Sequence, residues 1–169
     1  AAPQRGAGFG KLTEWKIRDP VGGSWGWKVT NFDLPTAAKI AIFGNYTNYR
    51  CTARDMARLG LLWLNYGRWE DEQVVPEDWL RQATRTSDEI LASEPEENWH
   101  YGLGFWTNDK GKLWPDLPTC SFAASGAGSM HIWVCPELSL VVVQSPGTYD
   151  TRDQAAIAAP IEKIIDTLI

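Results

Sequence analysis

Residues 122–130 read Phe-Ala-Ala-Ser-Gly-Ala-Gly-Ser-Met, and His-Ile-Trp-Val-Cys-Pro-Glu-Leu-Ser-Leu-Val-Val-Val-Gln-Ser follows at 131–145. The second part contains two β-rich runs, Met130 to Val134 and Leu138 to Gln144, separated by Cys135-Pro136-Glu137. Two such runs around a short connection predict an antiparallel hairpin. The first part carries no packing signal, because its side chains are small. Gly126 and Gly128 could make a bulge or turn at a strand start. Alternatively, a strand edge of small residues lets an acyl group lie close, so that backbone N–H groups donate to a developing oxyanion. Residue types alone favour the first reading.

Ser125 itself makes a poor nucleophile on sequence grounds. A nucleophile elbow needs Gly-x-Ser-x-Gly between a strand and a helix, so that the strained turn lifts the hydroxyl. Here the frame is Ala-Ala-Ser-Gly-Ala and a strand follows. A triad also needs a histidine to take the proton. His100 and His131 are the two available, and nothing in the sequence puts either near Ser125.

Composition narrows the function classes. The chain has 169 residues, 44% apolar, which allows one domain with a real core. Ten tryptophans suggest rings in a core or along a cleft. A net charge of -5, with no run of Lys or Arg, argues against a nucleic-acid surface. The apolar runs are far short of a membrane span. Cys51, Cys120 and Cys135 show no Cys-x-x-Cys spacing, so structural zinc is not expected and at most one disulfide could form. The acidic run Glu94 to Glu97 reads as solvated loop rather than a metal site. No metal or organic cofactor is implied. The opening Ala1-Ala2-Pro3-Gln4-Arg5-Gly6 suggests a processed or truncated chain.

The segment 1–50 shows little periodicity and reads as an irregular lead-in with a possible strand at Trp25 to Val29. Gly44 to Tyr49 reads as a polar, aromatic loop over a surface or cleft. The segment 51–169 is more regular. Thr52-x-x-Asp55 resembles a capping box, with Asp in place of Glu. Met56, Leu59, Leu62, Trp63 and Tyr66 recur at helical spacing, and Gly67 suits a C-terminal cap. Pro76 suits the first position of a second helix. Residues 86–98 read as loop, Tyr101 to Thr107 as a strand, and Pro115 to Pro118 as a turn-rich link. A last helix opens at Thr151 with the box Thr151-x-x-Gln154, and Pro160 should kink or restart it. The predicted class is α+β: an antiparallel sheet with flanking helices, placed here against one face.

Four blocks together then resemble one family. They are Thr52-Ala53-Arg54-Asp55-Met56 through Trp69, Val74 to Leu80, Tyr101-Gly102-Leu103-Gly104-Phe105-Trp106 with the two residues after it, and Ala124 to Val143. In that order they resemble the C-terminal half of the serine β-lactamase and penicillin-binding-protein-like hydrolases, nearest the esterase, amidase and 6-aminohexanoate-dimer-hydrolase branch. The resemblance covers about Asp19 to Ile169. It implies that Ala124-Ser125-Gly126 occupies the position of the family's Lys-Thr-Gly strand, with the Ala127 amide in the oxyanion hole. Ala124 departs from the lysine, which puts β-lactam or carboxylate-directed recognition in doubt.

A larger departure is that none of the eight serines is followed by lysine three residues on. The resemblance therefore implies that the nucleophile lies on an N-terminal half or second chain carrying Ser-x-x-Lys, and that this chain alone is inactive. The substrate would be a small-molecule ester or amide, in a periplasmic or secreted setting. Tyr46-Thr47-Asn48 matches the family's Tyr-x-Asn element only formally, since it sits too near the Thr52 helix. Tyr46 and Trp106 remain candidates to touch substrate. The rival reading is a non-catalytic, Trp-rich binding or scaffold module. A sheet cut from its first strands would also expose an edge, so poor solubility of the isolated chain is expected.

Overall fold

The computed structural model describes residues 9–30, 46–126, 130–145 and 154–168. Helix α1 (Phe9–Thr13) runs on into a π-helical turn, Glu14–Arg18, within the segment read as irregular. Strand β1 (Gly26–Thr30) pairs antiparallel with β2 (Tyr46–Arg50), Trp27 opposite Tyr49. Residues 46–49 are thus part of a strand and not the expected loop, because they pair in antiparallel register with Trp27 to Thr30.

Helix α2 (Ala53–Leu64) starts where the sequence places it. The Asp55 N–H donates to Thr52 Oγ1 at 3.1 Å, and the Thr52 N–H donates back to Asp55 Oδ2 at 3.0 Å, completing the capping box. At the far end the Gly67 N–H reaches the Leu62 carbonyl at 2.8 Å, with Gly67 at φ +85°. A Cβ at Gly67 would lie 2.1 Å from the Val75 carbonyl oxygen, so this stop requires glycine. A small hairpin follows, β3 (Arg68–Trp69) and β4 (Glu72–Gln73). Pro76 then caps α3 (Glu77–Ala83), one position earlier than expected.

The stretch 86–98 was expected to be loop, yet it holds helix α4 (Asp88–Ser93) and a short 3-10 turn, Glu96–Asn98. Ser87 Oγ accepts the Ile90 N–H at 3.3 Å, so a serine N-cap starts a helix that apolar periodicity does not announce. The acidic side chains are placed as surface groups, with Lys112 Nζ 3.2 Å from Glu96. The described residues hold no cluster of His, Cys, Asp and Glu able to bind a metal.

The main sheet has four antiparallel strands in the order β5 (Trp106–Thr107), β6 (Phe122–Gly126), β7 (Met130–Cys135) and β8 (Leu140–Gln144). The β7–β8 hairpin is as expected, turned at Pro136 to Ser139 with Ser139 at φ +49°. Only two residues of the expected strand 101–107 belong to it. The segment from Gly102 to Gly104 folds back, with the Gly102 N–H on the Phe105 carbonyl and Gly104 at φ +87°.

Strand alternation sends side chains to both faces of the sheet, and both are covered, rather than the one expected. Phe122, Ile132 and Val134 pack with Met56, Leu80, Ala83 and Phe105 on the side of α2 and α3. Ala123, Trp133 and Cys135 pack with Trp114, Leu117, Ile157 and Ile161 on the other. The last two belong to a 3-10 turn (Gln154–Ile157) and helix α5 (Ala158–Leu168). Pro160 falls in the first turn of α5, where its absent N–H costs nothing, so it follows the restart without kinking the helix. The expected cap at Thr151 lies outside the described residues.

Helix α2 approaches the sheet closely at Gly60. A Cβ there would come within 2.4 Å of Val141 Cγ1 and 2.9 Å of Ile132 Cγ2. Gly60→Ala gains about 1 kcal/mol of helix propensity. Overpacking against two branched side chains should cost about 1–3 kcal/mol and outweigh that gain. Urea unfolding that finds Gly60→Ala stabilised would contradict this close approach.

Candidate active-site edge

The β5–β6 pairing covers only Phe122 and Ala123. From Ala124 to Gly126 the outer edge of β6 has no strand partner among the described residues. The Asn108 N–H donates to the Ser121 carbonyl at 3.1 Å, which fixes the parity: odd-numbered residues of β6 turn their backbone groups away from β7. The Ser125 N–H and C=O therefore face the open edge. This is a short, glycine-ended strand edge of the kind that can hold an extended substrate and donate to its carbonyl.

Register assigns the side chains. Ser125 lies opposite His131, which lies opposite Gln144. This corrects the sequence reading that nothing brings a histidine near Ser125. The two residues form a non-hydrogen-bonded cross-strand pair, in which side chains stand close. His131 is buried, 5% exposed, and burial pulls its pKa below the ordinary histidine value. Its Nδ1 has no hydrogen-bond partner among the described residues. The pair shares the face of Ala123 and Trp133, towards α5.

Ala124 lies on the opposite face, against the cluster that includes Met56 and Ile132. Gly126 shares that face, and among the described residues a Cβ built on it meets nothing within 4 Å. Its backbone φ does not require glycine either. The residue is thus free to be small for the sake of the space beside it. Ala127 lies outside the described residues, as does the side chain of Tyr46. Trp106 is opposite Ala123 and packs against the Trp133 cluster, with His100 stacked on it at 5.7 Å and Tyr101 edge-on at 5.0 Å. Two described clefts, of about 540 and 520 Å³, gather around Arg81 and Arg85. Ser125, Gly126 and Trp106 line neither. Both are open surface grooves with charged walls, so the strand edge and not cavity size marks the candidate site.

Helices on both faces of an antiparallel sheet, with a short edge strand ending beside a small-residue strand, give the architecture of β-lactamase and penicillin-binding-protein-like proteins. Three solved structures carry that statement. A candidate β-lactamase from Bacteroides dorei DSM 17855 superposes with a TM-score of 0.62 at 15% identity, covering 96% of this chain and 53% of its own. A candidate 6-aminohexanoate-dimer hydrolase from Bacillus anthracis gives 0.58 at 17%, covering 91% and 36%. A penicillin-binding-protein homologue from Caulobacter crescentus gives 0.55 at 16%, covering 94% and 53%. At such identities the shared property is the fold. The chain spans about half the length of these structures or less. No family model matches the sequence, and no curated protein matches it.

Proposed function

We propose that this chain is the C-terminal segment of a β-lactamase-like serine hydrolase that cleaves an ester or amide through an acyl-enzyme. The observation that carries the reading is the open edge at Ala124–Gly126, on a fold shared with that group. In the complete protein a serine upstream of Ala1, activated by a lysine and a tyrosine, attacks the carbonyl and water later releases the acyl group. The edge from Ser125 to Ala127 orients the substrate and donates N–H groups to the oxyanion, while Tyr46 and Trp106 border the bound molecule. The outer edge of β8, unpaired among the described residues and rich in valine, is where a strand from the upstream half would add.

Ser125 with His131 is the competing arrangement within the chain. Among the described residues no group orients the imidazole at Nδ1, and its side chains face the α5 layer, where Ala123 and Trp133 are buried. A triad needs both an orienting partner and access for substrate. The Trp-rich binding module cannot draw on three of the ten tryptophans, though Trp15 and Trp79 are exposed. Trp25, Trp114 and Trp133 are core residues at 2% exposure or less.

Nitrophenyl-ester turnover separates these readings. The isolated chain should give no rate above background, and joining it to an upstream segment with Ser-x-x-Lys should restore hydrolysis. Turnover by the isolated chain that survives Ser125→Ala would overturn the upstream nucleophile. Failure of a fluorophosphonate probe to label any serine of the full-length protein would favour a binding role.

A further inference from the structure

Cys120 and Cys135 are fifteen residues apart, yet their sulfurs lie 3.6 Å from each other. Two elements bring them together. Cys135 ends β7, and the β6–β7 register, extended one step beyond Phe122–Val134, sets Ser121 across from it. Cys120 precedes Ser121 in a tight turn closed by Ser121 N–H and Oγ on the Pro118 carbonyl, at 3.0 and 2.7 Å. That turn is itself anchored, because the buried Asn108 amide donates to the carbonyls of Trp114, Leu117 and Pro118. The pair is asymmetric: Cys120 is exposed and Cys135 fully buried. Cys51, the third thiol, packs instead near Val21 and Trp25.

We propose that Cys120 and Cys135 form an oxidation site, in which a peroxide oxidant converts the two thiols to a disulfide that staples the Pro118–Ser121 turn to the end of β7. The sulfurs need to approach by about 1.5 Å to reach bonding distance. The exposed Cys120 thiolate attacks the peroxide O–O bond, so an S–O bond forms and one oxygen leaves as water after taking a proton. Cys135 sulfur then attacks the Cys120 sulfenic acid. The S–S bond forms, the S–O bond breaks, and the departing hydroxide takes the Cys135 proton as the second water. Two thiols lose two electrons and the peroxide gains them. Burial, together with Cys120 and Glu137 nearby, raises the Cys135 pKa, against a smaller lowering by a backbone bond at Leu138. This fits the order in which Cys120 reacts first and Cys135 resolves. The bond lies beyond the start of β6, while the open edge is at its end, so the site is separate from the proposed catalytic edge.

Full-length protein treated with hydrogen peroxide, alkylated without reductant and mapped by mass spectrometry, should yield one Cys120–Cys135 cross-linked peptide, two hydrogens lighter than the dithiol. Cys51 should remain alkylatable. In Cys135→Ser, Cys120 should be trapped by dimedone at least tenfold more than in the wild type and pass on to sulfinic acid. Oxidised wild-type protein with Cys135 still alkylatable would overturn the proposal, as would a bridge to Cys51 or between two molecules. The wild-type map decides this even if the variant misfolds.

Discussion

Asp55→Ala is expected to destabilise the fold by about 2–3 kcal/mol, among the largest effects of any single substitution here. Asp55 is 1% exposed, and among the described residues no cation pairs with its carboxylate. It is held by four donors instead: the Ser24 N–H at 2.8 Å, the single Ser24 hydroxyl proton lying between both oxygens, and the N–H and Oγ1–H of Thr52 at 3.0 and 2.8 Å. Alanine keeps the Thr52 cap on the residue-55 N–H but removes the carboxylate arm of the capping box, so the part-buried N–H groups of Ser24 and Thr52 lose their bonds to a charged acceptor, about 1–1.5 kcal/mol each. It also cuts the tie between the start of α2 and residue 24, which keeps Trp25 and Val21 against Leu62.

The same site sets an acid limit. Burial alone would raise the Asp55 pKa, but the bonds from Ser24 and Thr52 outweigh it and bring the carboxyl from 3.8 to about 2. A carboxyl whose folded pKa is depressed contributes its stability above the unfolded value. That contribution fades as pH falls from about 4 towards 2, and here amounts to roughly 2 kcal/mol. Urea unfolding at pH 7, 4, 3 and 2 tests both statements. Wild type should lose stability across the lower steps, and Asp55→Asn, already weaker at pH 7, should lose less. An Asp55→Ala protein within about 1 kcal/mol of wild type at pH 7 would refute the network's role.

Half of this network is legible in the sequence and half is not. Thr52 and Asp55 are three residues apart, so the capping box follows from local chemistry. Ser24 is thirty-one residues away, and only the tertiary fold brings it to the carboxylate. The same division runs through the sheet. The β7–β8 hairpin shows in the alternation of Val, Ile and Trp around Cys135-Pro136-Glu137. Strand β6 does not, since Ala123, Ala124, Ser125 and Gly126 have little β-propensity of their own. They join the sheet because β7 offers a ladder. Reading Gly126 and Gly128 as a strand start also hid the pairing of Ser125 with His131, which follows once the two strands are seen to flank 127–129. Tyr46 and α4 escaped for related reasons. The first is a strand only through its pairing with Thr30, and the second depends on one serine cap.

If the proposed hydrolase reading holds, Gly126→Leu should lower kcat/KM of the full-length protein at least 100-fold while leaving its melting temperature within a few degrees of wild type. The split between activity and stability follows from the surroundings of the residue. Among the described residues no atom lies within 4 Å of a Cβ at Gly126, so the new side chain displaces none of the described core. It projects into the open space beside the unpaired edge, where the proposed substrate must lie against the Ser125 backbone. Losing a single oxyanion donor is worth about 2.7–4 kcal/mol, or roughly 100- to 1000-fold in rate. Holding the substrate away from the edge forfeits at least that much. Gly126→Ala adds one methyl and should fall between wild type and leucine. Ser125→Ala keeps the whole backbone, removes a half-buried hydroxyl facing the α5 layer, and should cost less than tenfold. A result in which Ser125→Ala is the more damaging would move the chemistry back to the hydroxyl and to His131 opposite it. The reverse order, with a normal melting curve for Gly126→Leu, would place the function of this strand in its amides, which a sequence of small side chains is well suited to expose.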